Sequence, residues 1–368
     1  MSGVRSLPDF PWDSLTGAAD TARAHSDGIV DLSVGTPVDE VPEVIRRGLM
    51  AVAEIPGYPA THGTEQLRVA AAGAMRRRFG VAGVDPAAVL PTIGSKELIA
   101  WLPTLLGLGA KDTVVFPQLA YPTYEVGARL AMAQPVRSDA THALGPARPA
   151  LFWVNSPSNP TGKVLPVAHL RKVVEWARER GTVVAADECY LSLGWDGERP
   201  VSLLHPEVCG GSFEGLLAVH SLSKSSNFAG YRGGFVVGDP ALVKRLLQVR
   251  KHAGLIVPLP VQEAMTAALL DDEHLATQRA RYAGRRTVLR AALTAAGFRI
   301  DHSEAGLYLW ATRGEDAWDT VDWLAARGIL VAPGTFYGPT GGRHVRFALT
   351  ATDERIAAAA ARLSADNR

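Results

Sequence analysis

The sequence predicts an α/β fold, with a mostly parallel central sheet carrying helices on both faces and a smaller α+β domain after it. Three observations carry that reading. From about Ala88 to Gly238, short β-branched runs alternate with longer helical patterns, as expected of strands buried on both faces and joined by crossover helices. The final stretch of roughly one hundred residues instead mixes short strands with helices. The chain has 368 residues, of which 47% are hydrophobic, so it can bury the core that such a sheet needs.

The predicted strands in order are AVLPT (88–92), TVVF (113–116), ALFWV (150–154), TVVAAD (182–187), LLAVH (216–220) and GFVVG (234–238). Between the third and fourth, Pro166 suits a first helical turn, Val167, Leu170, Val174 and Ala177 share one face, and Gly181 stops the helix. Ser138 to Pro149 reads as a surface turn. Beyond these lie a helix near Arg285–Ala296, the strands FRI and GLYLWAT, a helix near Trp318–Arg327, the strands ILVAP and HVRFAL, and a terminal helix from about Asp353. Ligands of a parallel α/β sheet gather at the carboxyl ends of its strands.

Composition narrows the function. Lys plus Arg is 38 and Asp plus Glu is 37, so there is no global field to attract nucleic acid or an acidic membrane. The two cysteines, Cys189 and Cys209, form no C-x-x-C pair, which argues against a zinc site or a disulfide framework and suits a reducing compartment. The opening residues carry Asp9 and Asp13 and no apolar signal region. The longest apolar run, Leu98 to Ala110, is broken by Pro103 and falls short of the ~20 residues of a spanning helix. A cytoplasmic protein with no metal, nucleic-acid or membrane partner is expected.

Chemistry concentrates at the strand ends. Asp187 closes TVVAAD, where a buried carboxylate is costly without a cation, although a capping aspartate explains the residue equally well. Lys224 directly follows LLAVH, and a lone lysine there reads first as a solvated loop charge. Ser221 and Arg232 bracket it, however, and two phosphate donors around one amine suit a phosphorylated aldehyde cofactor. Asn155 to Gly162 (NSPSNPTG) is a turn-forming segment after ALFWV, and Gly94-Ser95-Lys96 opens a helix with free N–H groups. Tyr121 lies in the same layer of strand ends, though it reads equally as core.

NSPSNPTG, DECY and SLSKSSNFAGYR, in that order and spacing, resemble the class I/II aminotransferases, pyridoxal 5'-phosphate enzymes of fold type I. The resemblance runs from GTP near Gly35 to HVRFALT near Arg346, with one mild departure at Gly233, where the family more often has an aliphatic residue or alanine. It implies that Lys224 binds the cofactor aldehyde covalently and then shuttles the substrate proton. Asp187 would pair with the pyridine nitrogen, and Tyr190 and Asn159 would hydrogen-bond the ring oxygen. Ser221, Arg232 and the amides of Ser95 and Lys96 would cradle the phosphate, with Tyr121 on the ring face. Arg346 would clamp the substrate α-carboxylate, Gly35 would lie where the amino-terminal segment closes over the substrate, and Tyr58 would reach the phosphate of a neighbouring subunit in a homodimer.

The resemblance further implies an amino-terminal segment (1–36) packing with the small domain, a large cofactor-binding domain (37–265) and a small carboxyl-terminal domain (266–368). A regulator built on this fold would need a DNA-binding extension, for which a match starting near residue 7 leaves no room, so an enzyme is expected. The stretches LPDFPWDSLTGAADTARAHSDGIVDLSVGTPVDEVP, GSKELIAWLPTLLGLGA and FPQLAYPTYEVGARLA resemble the actinobacterial succinyldiaminopimelate aminotransferases. That implies amino-group exchange between N-succinyl-LL-2,6-diaminopimelate and 2-oxoglutarate, in lysine and diaminopimelate biosynthesis. A subgroup member acting on aspartate or aromatic amino acids is the alternative. A dianionic substrate needs a cation beyond Arg346, and Lys96 is a candidate, although it reads first as a solvated helix residue.

Overall fold

The computed structural model describes residues 7–364, so residues 1–6 of the predicted amino-terminal segment and 365–368 of the predicted carboxyl-terminal domain lie outside the described residues. In chain order the strands are β1 (Val30–Asp31), β2 (Val89–Ile93), β3 (Thr113–Phe116), β4 (Gln134–Arg137), β5 (Leu151–Asn155), β6 (Val183–Asp187), β7 (Leu216–Ser221), β8 (Gly233–Gly238), β9 (Arg299–Asp301), β10 (Tyr308–Thr312), β11 (Ile329–Leu330), β12 (Ala332–Pro333) and β13 (Val345–Ala348).

The large sheet has the order β2-β8-β7-β6-β5-β3-β4, parallel except for β8, which runs against both neighbours. The six expected strands are all in it. The seventh, β4, is missing from the sequence reading because QPVR carries one β-branched residue and a proline, a composition tolerated at the edge position it occupies. Helix Val167–Arg180 follows Pro166, whose extended ψ of 148° makes it the residue before the helix, and Gly181 ends it at φ 65°. The helix expected near Arg285–Ala296 starts earlier and spans Glu273–Ala295, because its polar first turns hide the periodicity.

Strand alternation divides the apolar side chains between the two faces. Phe152, Val154, Val184, Ala186, Ala218 and Phe235 pack towards helices Glu65–Phe79, Val167–Arg180 and Leu259–Leu270. Trp153, Ala185, Leu217, Val219 and Val236 pack towards helices Gly94–Leu105, Thr123–Leu130 and Pro240–Ala253. Each Val, Leu or Phe among them contributes roughly 1.5–3 kcal/mol of burial, and each alanine less. A third core lies under the antiparallel sheet β12-β13-β10-β9 and draws in helices Thr16–Arg23, Glu273–Ala295 and Asp353–Ser364. The amino-terminal segment joins this part of the molecule through β1, which pairs in parallel with β11.

Register fixes where the chemistry sits. Asn155 stands opposite Asp187, Asp187 opposite Val219, Ser221 opposite Gly234, and Ile93 opposite Gly233. The carboxyl ends of β2, β5, β6 and β7 and the start of β8 therefore share one edge. The departure at Gly233 also has a local cause. A Cβ there would lie 2.4 Å from the ring of Phe228, which is fully buried against the same strand.

Candidate active site

A cavity of about 960 Å³ opens at this edge and is lined by Gly35, Ser95, Lys96, Tyr121, Asn159, Asp187, Tyr190, Ser221, Lys224, Arg232 and Arg346. Among the residues given a role by the resemblance, Tyr58 alone lies elsewhere, fully exposed on the surface.

Arg232 and Gly94 define one end. Gly94 has φ +70°, and a Cβ on it would fall 2.5 Å from Nη2 of Arg232, so only glycine lets the guanidinium cross the start of helix Gly94–Leu105. Nη1 of Arg232 donates to the carbonyl of Ala229 at 2.9 Å, and no carboxylate pairs with this arginine among the described residues. A free guanidinium, the open N-terminus of a 12-residue helix and the Ser221 hydroxyl make a donor set suited to a phosphate.

Asp187 lies deeper, only 5% exposed. Its carboxylate accepts from the Tyr124 hydroxyl at 2.8 Å and from the Cys189 N–H at 3.3 Å. Burial raises its pKa, opposed by the bonds from Cys189 and Tyr124 and by the charge of His220. No cation lies within ion-pair distance of it among the described residues, so a protonated ring nitrogen fits the charge it leaves open. Asn155 braces this corner, donating to the carbonyl of Asp187 at 3.0 Å and accepting from the N–H of Asn159 at 2.7 Å.

Lys224 sits in the turn after β7, its ammonium donating to the carbonyl of Gly35. The hydroxyl of the buried Tyr282 holds the Lys224 carbonyl at 3.0 Å, which fixes the backbone from which the amine projects. The residues present therefore fit pyridoxal phosphate: an amine, a buried carboxylate and a phosphate cradle, all set by neighbouring strands.

The opposite wall comes from the carboxyl-terminal sheet. Arg346, 2% exposed on β13, donates from Nη1 to Oδ1 of Asn159 at 3.0 Å and from Nη2 to the carbonyl of Ser33 at 2.6 Å. Its guanidinium lies 3.9 Å from the ring centre of Tyr308 and 5.0 Å from that of Tyr337, and its buried Nε has no partner. The NPTG turn is tied to this wall by two backbone bonds, Ser303 N–H to the Thr161 carbonyl at 3.1 Å and Ala305 N–H to the Gly162 carbonyl at 2.9 Å. A Cβ at Gly162, whose φ is +72°, would lie 2.5 Å from the Ala305 oxygen.

Sequence reasoning missed several lining or supporting groups. Tyr124, the hydrogen-bond donor to Asp187, is three residues beyond Tyr121 at helical spacing, a signal that could have found it. Tyr308, whose hydroxyl stands 3.1 Å from that of Tyr190, lies in GLYLWAT, where alternation reads only as core. Phe10 and Trp12 line the mouth, and the exposed ammonium of Lys96 lies 5.4 Å from the Phe10 ring centre. Behind the site, His220 lies between Phe79 and Phe235 with Nε2 3.1 Å from the Glu188 carboxylate.

No helix among the described residues is long and apolar enough to cross a membrane. The family model of aminotransferase class I and II matches residues 27–363. The chain is 66% identical to a probable aminotransferase of Mycobacterium tuberculosis, over 98% of this chain and 86% of that one. It is 61% identical to the 4-dedimethylamino-4-oxo-anhydrotetracycline transaminase OxyQ of Streptomyces rimosus, over 98% of this chain and 100% of that one. Among solved structures, a probable N-succinyldiaminopimelate aminotransferase from Thermus thermophilus superposes with a TM-score of 0.85 at 30% identity, covering 96% of this chain and 99% of that one. The chain thus belongs to the class I and II aminotransferases, enzymes that move amino groups between small amino and oxo acids with pyridoxal phosphate.

Proposed function

We propose that this aminotransferase exchanges the amino group between N-succinyl-LL-2,6-diaminopimelate and 2-oxoglutarate. The observation that carries the reading is the exposed ammonium of Lys96 at the mouth of the cavity, without a carboxylate partner among the described residues. A cavity of about 960 Å³ is near the upper end of the roughly 300–1,000 Å³ usual for ligand sites. It has room for the cofactor and a long donor that carries a second anion away from the reacting carbon. The likeness to the Thermus protein supports the same substrate.

Bound pyridoxal phosphate supplies an aldehyde and an electron-accepting ring. In this reading Lys224 holds that aldehyde and afterwards carries the proton at the substrate α-carbon. Asp187 would keep the ring nitrogen charged, Tyr190 and Asn159 would orient the ring oxygen, and Tyr121 would stack on the ring. The amides of Ser95 and Lys96, with Ser221 and Arg232, would hold the phosphate. Arg346 takes the α-carboxylate with a fork that lysine cannot reproduce, and the Gly35 segment covers it. The chain divides into the amino-terminal segment 1–36, the large domain 37–265 and the small domain 266–368.

The test is a donor panel with 2-oxoglutarate as acceptor. The succinylated donor should have kcat/KM well above aspartate, aromatic amino acids or free diaminopimelate. Lys96→Ala should lower it severalfold for the succinylated donor, as expected from up to about 1 kcal/mol for an ion pair made by an exposed ammonium, and leave aromatic donors unchanged. Aspartate or an aromatic donor faster by tenfold would reject the substrate and spare the cofactor chemistry. Arg346→Lys should depress every donor together.

The apolar mouth, built from Phe10, Trp12, Ile99 and Phe336, favours a second reading, a bulky aromatic or polycyclic partner of the kind named for the Streptomyces relative. A polycyclic ketone accepted faster than 2-oxoglutarate would select it.

Tyr58 belongs to the same proposal. Its full exposure in a single chain suits a hydroxyl that serves the phosphate of a second copy in a homodimer. Tyr58→Phe should weaken cofactor retention by roughly 3- to 10-fold, the worth of one hydrogen bond of about 0.5–1.5 kcal/mol. A fully active monomer in sedimentation would exclude the shared site.

A further inference from the structure

The Tyr308 side chain touches both sides of the site. Its ring carries the Arg346 guanidinium at 3.9 Å, while its hydroxyl is 3.1 Å from the hydroxyl of Tyr190, the two rings meeting edge to face at 76°. The hydroxyl also lies close against the amino-terminal segment, since a Cβ at Gly35 would fall 2.3 Å from it, and the carbonyl of that glycine holds the Lys224 ammonium. Tyr308 is 4% exposed. Among the described residues its hydroxyl has no hydrogen-bond partner besides Tyr190, and the ring is held by packing.

We propose that Tyr308 is a positioning residue for transamination, its ring seating Arg346 for the substrate carboxylate and its hydroxyl supporting the hydroxyl of Tyr190. The inference rests on the roles given above to Arg346 and Tyr190 and adds a residue that joins them. Arg346 reaches the ring-oxygen side by a second path, its 3.0 Å bond to Asn159, so the two paths must be told apart.

The charges around the phenol support the inference. Burial pushes the Tyr308 pKa up, but Arg346, Lys224 and the bond from Tyr190 outweigh it and bring the phenol below its usual value, whereas burial pushes Tyr190 well up. In the structure as it stands, the two hydroxyls stand at hydrogen-bond distance and either can donate to the other. With a cofactor bound, Tyr190 would donate to the ring oxygen, leaving Tyr308 to donate to Tyr190, and a hydroxyl that receives a bond donates a stronger one. Arg346 gains independently, because a guanidinium on an aromatic face is held in place without using the N–H groups needed for a carboxylate.

The test uses the holoenzyme, with two readouts that do not depend on turnover. One is the pH midpoint of the visible absorbance change of the bound cofactor. The other is the dissociation constant of succinate, a carboxylate without an amino group to transfer. Tyr308→Phe keeps the ring and nearly the same volume, so succinate should bind within about twofold of wild type. Its midpoint should rise by about half a unit, a roughly threefold change in proton affinity, because a weakened Tyr190 bond stabilises the less protonated form less. Tyr308→Leu should show the same rise and bind succinate about fivefold or more weakly, the effect of losing a buried cation–π contact.

Gly35→Ala offers an independent variant if Tyr308→Leu does not fold. Its methyl displaces the hydroxyl, so it should raise the midpoint in the wild-type background and add less in Tyr308→Phe. An unmoved midpoint in Tyr308→Phe overturns the proposal and leaves Asn159 as the link. Undiminished succinate binding in Tyr308→Leu overturns it as well. Failure of the underlying role is separate, since Arg346→Lys would then leave succinate binding unchanged.

Discussion

Lys224→Ala is expected to lose several powers of ten in turnover, because in the role proposed for it one substitution would remove both the covalent link to the cofactor and the base that moves the substrate proton. Two lysines line the cavity, and they are not equivalent. Lys96 is exposed at the mouth on helix Gly94–Leu105, whereas Lys224 lies on the turn after β7 with its backbone held by Tyr282. Steady-state turnover with a cognate amino donor and 2-oxoglutarate measures the loss. Borohydride reduction and peptide mapping check it independently, with the label expected on Lys224. A near-wild-type Lys224→Ala enzyme, or label on Lys96, would reject the assignment.

Asp187→Asn is expected to cost about 3–5 kcal/mol, the range for breaking one side of a buried ion pair, or roughly two to four decades in rate if felt fully in the transition state. The amide keeps the shape, so the Tyr124 hydroxyl at 2.8 Å still has an oxygen to donate to. What would be lost is the charge proposed to hold a proton on the ring nitrogen. Cofactor should still bind through Arg232, Ser221 and the helix N-terminus, though less tightly, so equilibrium dialysis should show a modest loss beside a large fall in kcat. Normal turnover in this variant would make Asp187 a structural cap.

The strands, and the placement of Asp187 at the end of one and of Lys224 in the turn after another, were legible because each buried strand is a continuous apolar run, and a polar residue that interrupts it marks the rim. Alternation reads differently in the carboxyl-terminal part. Tyr308 and Arg346 both lie in strands whose side chains are buried throughout, and one-dimensional pattern does not tell a core phenol from one that holds an arginine. The edge strand β4 was hidden because, paired on one side only, it needs little β propensity of its own.

By itself the sequence determined the α/β class and the family, and it pointed to a single layer of strand ends for the cofactor, because these rest on local chemistry: apolar runs, turn residues and ordered motifs. The tertiary structure decided what meets across the chain. It set Arg232 into the space left by the missing Cβ of Gly94, put Tyr124 on Asp187 and laid Arg346 on Tyr308, contacts between residues 38 to 138 positions apart. It also left Tyr58 on the outside of the chain. Such contacts depend on strand order, register and the crossing of two separate sheets. These are set by the packing of whole faces against one another, and no short window of residues encodes them.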